Sequence, residues 1–360
     1  TASTYVVDTG NRELRSYFNF GIVTRAGVWG NDGLTDITQA GAKPLFNRPI
    51  VIISLGNGTA LVTELVPASF TGQTLKLNLM DNSDSGPLPA TTISGVVIGD
   101  AMYGASPNGD YTIWKYPLDG TAATYFAGTA HAGSQLNPAD GTLTTATFDT
   151  VVGLSTDGTN LYFSDGARTL VRMIDMKAGM VVTLAGTLGT TDIVNDVGEK
   201  AHFANINAGA CDGPNLYFTE NLTSTDGTMI RKVEIATRKV TTLAGDPMET
   251  GAVDATGTAA RFAGIRGLTT DGKALYAMDS GNGPWANSNP FGDANGPTVR
   301  EIELPSGRVT TMAGTRGQWT FRPGVGTAAA FNQPYSITFD KFTHSLLFAD
   351  FAEDVIVRIK

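Results

Sequence analysis

Cysteine is almost missing: Cys211 stands alone among 360 residues, which excludes an internal disulfide, a thiolate metal cluster and a haem attachment motif. A single such residue reads as a small buried apolar side chain rather than a reactive thiol. Histidine is scarce as well, with His131, His202 and His344 the only three. A zinc centre needs clustered imidazoles, and only the first two fall near one set of loops, so metal-assisted catalysis of the zinc type lacks its ligands. Positive charge is in deficit, with 25 Lys and Arg against 34 Asp and Glu and a net charge of -9. Phosphate backbones and anionic lipid both demand a cationic surface, which argues against nucleic acid as a partner. No apolar run reaches the ~18 residues of a membrane helix, so no membrane insertion is expected. No Gly-x-Ser-x-Gly nucleophile elbow occurs. The chain opens at Thr1 in a polar tetrapeptide and enters a strand at once, the start expected of a processed secreted protein.

What is present is glycine, 43 residues of it, beside a hydrophobic fraction of 41%. That composition describes a turn-rich β protein with a core, not a disordered chain. An Ala-Gly signature closes a β-prone run five times, at Gly27, Gly128, Gly186, Gly245 and Gly314. The last four recur roughly 60 residues apart, the mark of one supersecondary unit copied along the chain.

Residues 149–186 show the unit best. A first strand around Val152 leads through a turn at Asp157-Gly158 to a second strand, Leu161 to Asp165, then a third, Val171 to Asp175, and a fourth, Val181 to Ala185. Four antiparallel strands per copy is the make-up of a propeller blade. An acidic residue closing the second strand and an Arg on the third recur as Asp8/Arg15, Asp165/Arg172, Glu220/Arg231, Asp279/Arg300 and Asp350/Arg358. Five equivalent catalytic pairs make no chemical sense, so these are expected to be structural ion pairs between neighbouring strands.

The succession Phe-x-x-Pro, Asp-Gly-x-x-Leu-Tyr, Ile/Val-Arg and Val-Thr-Thr-Leu-Ala-Gly resembles the NHL repeat, with Phe46 to Pro49 and Phe331 to Pro334 matching its entry motif and Phe148, Phe203 and Phe262 matching the Phe alone. The likeness covers residues 5–49 and 128–360, and it implies a β-propeller, usually of six blades, that acts in protein contacts. Counting with the Ala-Gly ruler gives the same expectation: an all-β, six-bladed β-propeller of four-stranded antiparallel blades, with seven blades and incomplete terminal ones as the alternative. Residues 1–360 then form a single domain: a surplus strand pair at 1–18, a closing outer strand at 19–27, two degenerate blades at 28–127, three clear blades at 128–314, and a last blade at 315–360 closed by the N-terminal segment.

Long loops between units are where binding residues are expected. The expected binding face holds Trp285, Asp293, Asp192, Asp196 and Asp254. No catalytic residue and no cofactor is expected. Calcium is the one ion with candidate ligands, Asp81, Asp84, Asp279 and Asp293, because hard cations take carboxylate oxygens. The resulting expectation is a non-catalytic secreted or cell-surface module, with a periplasmic site as the alternative. Its partners would be proteins, copies of itself among them. Two other readings stay open: a subunit of an extracellular polymer joined through its N-terminal strands, and a propeller hydrolase or lyase with a divalent ion at its axis.

Overall fold

The computed structural model describes residues 3–8, 13–18, 23–26, 49–66, 71–78, 84–88, 95–106, 110–130, 137–222, 227–280, 296–350, 352–353 and 355–360, with side chains for 51–63 and for the described residues from 95 onward. The fold is an all-β propeller. Its only helices among these residues are single 3-10 turns at Gly198–Lys200, Gly257–Ala259 and Gly326–Ala328.

Strands β1 (Ser3–Asp8) and β2 (Glu13–Phe18) pair with each other as a two-stranded sheet. Strand β3 (Val23–Ala26) follows. One blade is β4 (Pro49–Ser54), β5 (Thr59–Val66), β6 (Thr71–Asn78) and β7 (Asp84–Leu88). The next is β8 (Gly95–Ile98), β9 (Ala101–Ala105), β10 (Ile113–Pro117) and β11 (Thr124–Ala127). The third adds a short strand, β12 (Gly141–Thr142), to the outer edge of β13 (Val152–Thr156), β14 (Leu161–Asp165), β15 (Leu170–Asp175) and β16 (Met180–Ala185). Then come β17 (Ile206–Cys211), β18 (Asn215–Glu220), β19 (Met229–Glu234) and β20 (Lys239–Gly245), followed by β21 (Ile265–Thr270), β22 (Ala274–Asp279), β23 (Thr298–Glu303) and β24 (Arg308–Ala313). Strands β25 (Pro334–Asp340), β26 (Ser345–Asp350) and β27 (Val355–Ile359) take β3 as their fourth neighbour.

These pairings correct the expected six blades of four strands, and the alternative of seven. Five blades are built from consecutive strands, one of them widened to five by β12. The sheet β25-β26-β27-β3 draws on both ends of the chain, with Ile356 opposite Ala26 and Arg358 opposite Val23. The ruler miscounted because it measures chain length between signatures, whereas a blade is defined by which strands hydrogen-bond. Contacts group the chain into two units, one of residues 1–91, 276–301 and 310–360, the other of residues 92–275 and 302–309.

Each unit's core is the space between facing sheets. In the second unit Phe148 and Phe163 meet edge to face at 5.0 Å, beside Leu161, Ile174 and Val181. Phe203 and Phe218 anchor the neighbouring layer with Tyr162 and Leu184. In the first unit Phe331 and Phe348 repeat the edge-to-face geometry at 4.9 Å. Aromatic pairs of this kind add to plain burial through the ring quadrupole.

The Ala-Gly signature has a steric cause. Gly128, Gly186, Gly245 and Gly314 hold φ between 89° and 101°. A Cβ there would stand 2.7 Å from Phe148, 3.1 Å from Phe203, 2.9 Å from Phe262 and 3.0 Å from Phe331, respectively. Each of these four glycines thus meets the entry Phe of the following unit, which ties the two motifs into one contact. Gly245→Ala is expected to destabilise by ~1–3 kcal/mol through the left-handed backbone, and further through crowding by the Thr228 carbonyl at 2.5 Å, Met229 Cα at 2.8 Å and the Phe262 ring at 2.9 Å. Gly158→Ala, at φ 88° with nothing within 4 Å, carries the backbone cost alone. Comparing the two in denaturant melts isolates the crowding, and equal losses would refute it.

Candidate ligand-binding site

The sequence places an acid and an Arg on adjacent strands, and the fold joins them out of solvent. Arg172 Nη1 lies 2.8 Å from Asp165 Oδ2, with both side chains fully buried. Arg231 Nη1 lies 2.5 Å from Glu220 Oε2, and Arg300 Nη1 2.8 Å from Asp279 Oδ2. The other carboxylate oxygen caps the entry to the first strand: Asp165 Oδ1 accepts from the N–H groups of Asp149 and Thr150, and Glu220 Oε1 from that of Ala204. The free end of the Arg grips the incoming loop. Arg172 Nη2 donates to the Ala139 carbonyl and meets Asp140 at 3.1 Å, while Arg231 Nη2 donates to the Val194 carbonyl and to Asn195 Oδ1. The guanidinium carbons of Arg172 and Arg231 lie 5.9 and 5.0 Å from the rings of Phe148 and Phe203. Burial pushes the Asp165 and Glu220 carboxyls up, and the Arg and backbone donors pull them back. A group so enclosed does no chemistry on a solute.

The last expected pair, Asp350 with Arg358, does not form. Leu170 opposes Asp165 and Arg172 opposes Phe163, as Met229 opposes Glu220 and Arg231 opposes Phe218. In the terminal sheet Val355 opposes Asp350 and Val357 opposes Phe348, so Val357 occupies the Arg register. Arg358 stands one residue on, and side chains alternate faces along a strand. It donates from Nε to Ser345 Oγ at 2.8 Å instead. Asp350 keeps its two backbone donors, Asn332 and Gln333 N–H, both at 2.8 Å. With no cation beside it among the described residues, burial first and Glu353 in addition push its carboxyl up to about 7.

The other expected site residues are dispersed. Asp196 and Asp254 belong to loops that run along edge strands: Val240 N–H donates to the Asp196 carbonyl at 2.8 Å, and Val309 N–H to that of Ala255. Strand β12 does the same for β16. Covering an exposed edge is a standing need of antiparallel sheets, and here it consumes much of these loops. Asp192 sits in the open with its carboxylate 2.8 Å from His202 Nδ1. Asp279 already faces Arg300. Trp285, Asp81 and Asp293 lie outside the described residues, and Asp8, Arg15 and Asp84 sit in strands whose side chains are not described. Among the described residues no three His, Cys, Asp or Glu side chains gather to hold a metal ion. Burial pushes the Cys211 thiol up to about 11, which keeps it protonated near neutrality.

One polar cluster falls outside the repeat's own logic. The turn between β14 and β15 places both Ala167 and Arg168 at positive φ, 54° and 68°. Its Arg168 carbonyl accepts from Ile206 N–H at 3.0 Å, seating the turn on the entry to β17. Arg168 Nη1 donates to Asn207 Oδ1 at 2.6 Å and to Asn205 Oδ1 at 3.2 Å. Both amide nitrogens donate on to Asn221 Oδ1 at 2.9 Å. Burial alone pulls the Arg168 pKa down, and among the described residues no carboxylate compensates it. The sequence carries one signal for this cluster: Asn205 and Asn207 are two apart at a strand start, which puts them on one face.

No family model and no curated protein matches the chain. Solved structures do. A structural genomics protein of unknown function from Bacteroides thetaiotaomicron superposes with a TM-score of 0.65 at 18% identity, over 96% of this chain and 78% of that one. An auxiliary nutrient binding protein from the same organism gives 0.63 at 14%, over 95% and 76%. A protein of that same description from Bacteroides ovatus gives 0.62 at 14%, over 97% and 80%. At such identities the shared property is the fold.

The unpaired Asp350 has a measurable consequence. Its folded pKa of about 7 exceeds the ~3.9 of an unfolded Asp, so the folded state holds a proton that the unfolded chain has released. The associated stability is full below pH ~4, is lost as pH rises towards 7, and amounts to up to ~4 kcal/mol. Asp350→Asn should remove that slope from urea melts run between pH 4 and 8. A variant with the wild-type slope would show that Asp350 is already ionised when folded.

Proposed function

We propose that the chain is a non-catalytic binding module that captures a small polar solute outside the cytoplasm, with the cluster around Arg168 as its contact. One observation carries this reading. In a chain of net charge -9, Arg168 is a half-buried cation held in place by amide oxygens while no described carboxylate neutralises it. Desolvating a charge without a partner is unfavourable, and a ligand that supplies the missing interaction removes that penalty. Arg172, Arg231 and Arg300, by contrast, already have their acids. Two fold neighbours described as auxiliary nutrient binding proteins of Bacteroides support the solute-capture reading and a cell-surface or periplasmic location. The contact between entry Phe, carboxylate, Arg and signature Gly supports kinship with NHL repeats.

A second reading, binding of protein or self-assembly, has one observation in its favour: among the described strands β1 and β2 pair only with each other, leaving strand edges for another chain.

Calorimetric titration of the whole chain against a panel of monosaccharides, oligosaccharides and amino acids tests the first reading. A saturable ligand is expected, with affinity falling tenfold or more in Arg168→Ala, since a charge-assisted hydrogen bond is worth ~1.5–3 kcal/mol. No binding across the panel would sink it. For the second reading, deletion of residues 1–18 should lower the mass seen by light scattering; an unchanged mass counts against assembly through the hairpin.

A further inference from the structure

Resting on the binding-module reading, we infer that the Arg168 cluster is a carboxylate site, and that its solute is a small molecule bearing one carboxylate. A guanidinium has five N–H donors in a plane, and Nε with Nη2 forms the parallel fork that matches the two oxygens of a carboxylate. In Arg168 the two donors of Nη1 are taken by Asn207 Oδ1 and Asn205 Oδ1. Nε and Nη2 have no partner among the described residues. The donors that remain are therefore the pair suited to bidentate recognition.

The cluster is rigid before any ligand arrives. The Asn205 and Asn207 amides are held by Asn221, and Asn207 Nδ2 also donates to the Asn205 carbonyl at 3.1 Å. Each amide thus has its oxygen towards Arg168 and its nitrogen away from it. The guanidinium plane is fixed by Nη1, so little side-chain entropy is lost when the fork is filled. Two successive non-glycine residues at positive φ, Ala167 and Arg168, give the turn a backbone strain of the sort that gathers at ligand clamps.

Charge selects among oxyanions. One guanidinium neutralises one carboxylate, and the side chains that hold it, Asn205, Asn207 and Asn221, bring no further positive charge. A phosphate dianion would leave a surplus negative charge beside a chain of net -9.

The test uses glucuronate and glucose, which differ at one carbon by the carboxylate, with inorganic phosphate as a third probe. The Arg168 Nε–H resonance of the intact protein should shift saturably with glucuronate and stay in place with glucose. Phosphate should bind at least tenfold more weakly. Arg168→Lys keeps the charge and removes the fork, and should lose tenfold or more in glucuronate affinity at an unchanged melting temperature. If the variant does not fold, the wild-type resonance still decides. An unmoved resonance, equal binding of glucose, tighter binding of phosphate, or full affinity in the Lys variant would each overturn the carboxylate site. Neutral solutes binding without moving Arg168 would overturn it while leaving the binding module intact; no solute binding anywhere in the wider panel would sink that reading itself.

Discussion

The buried bond between an Arg and the acid that closes the second strand holds the rest of each clear blade in place. In one contact it fixes three chain segments that are far apart in sequence. Asp165 binds the entry to β13 through two backbone N–H groups, Arg172 on β15 neutralises it, and the same Arg holds the loop carbonyl of Ala139. Burying two charges is unfavourable unless every remaining donor and acceptor is met. The blades meet that condition for the carboxylate oxygens and the Nη donors largely with backbone groups that themselves need partners, and leave Nε of Arg172 and Arg231 buried without a hydrogen bond.

The arrangement of the loops follows from this. Once Arg231 has gripped Val194 and Asn195, the chain continues along β20 and closes its edge. The loops between repeats are therefore partly framework. Their acidic residues lie on outer edges, whereas Arg168 lies where a turn of one blade rests on the first strand of the next. The proposed binding chemistry falls where the framework rule lapses, a common property of functional sites in consistent folds.

Among the described residues two such lapses of opposite sign stand out: at Arg168 a cation lacks a carboxylate, and at Asp350 a carboxylate lacks a cation. The second arises from a shift of a single residue, since Val357 stands in the Arg register and Arg358 faces the other way. The sequence shows Asp350 and Arg358 at nearly the usual spacing, and nothing in that spacing reveals which face each takes. The true pairs, Asp165 with Arg172 and Glu220 with Arg231, look no different on paper. The Arg168 cluster was still less visible, because its turn uses positive φ at two residues that do not favour it, and because Asn221 reaches it only when β18 lies beside β17.

Local chemistry written in the sequence determined the all-β character, the repeating unit and the pairing of entry Phe with signature Gly. Strand alternation, turn residues and a glycine that must adopt positive φ are short-range constraints, and they survive reading one residue at a time. The number of blades, the course of the loops and the placement of Arg168 were decided by tertiary structure. Each depends on which backbone hydrogen bonds form between distant segments, and on strand register, where a shift of one residue exchanges the buried face for the other.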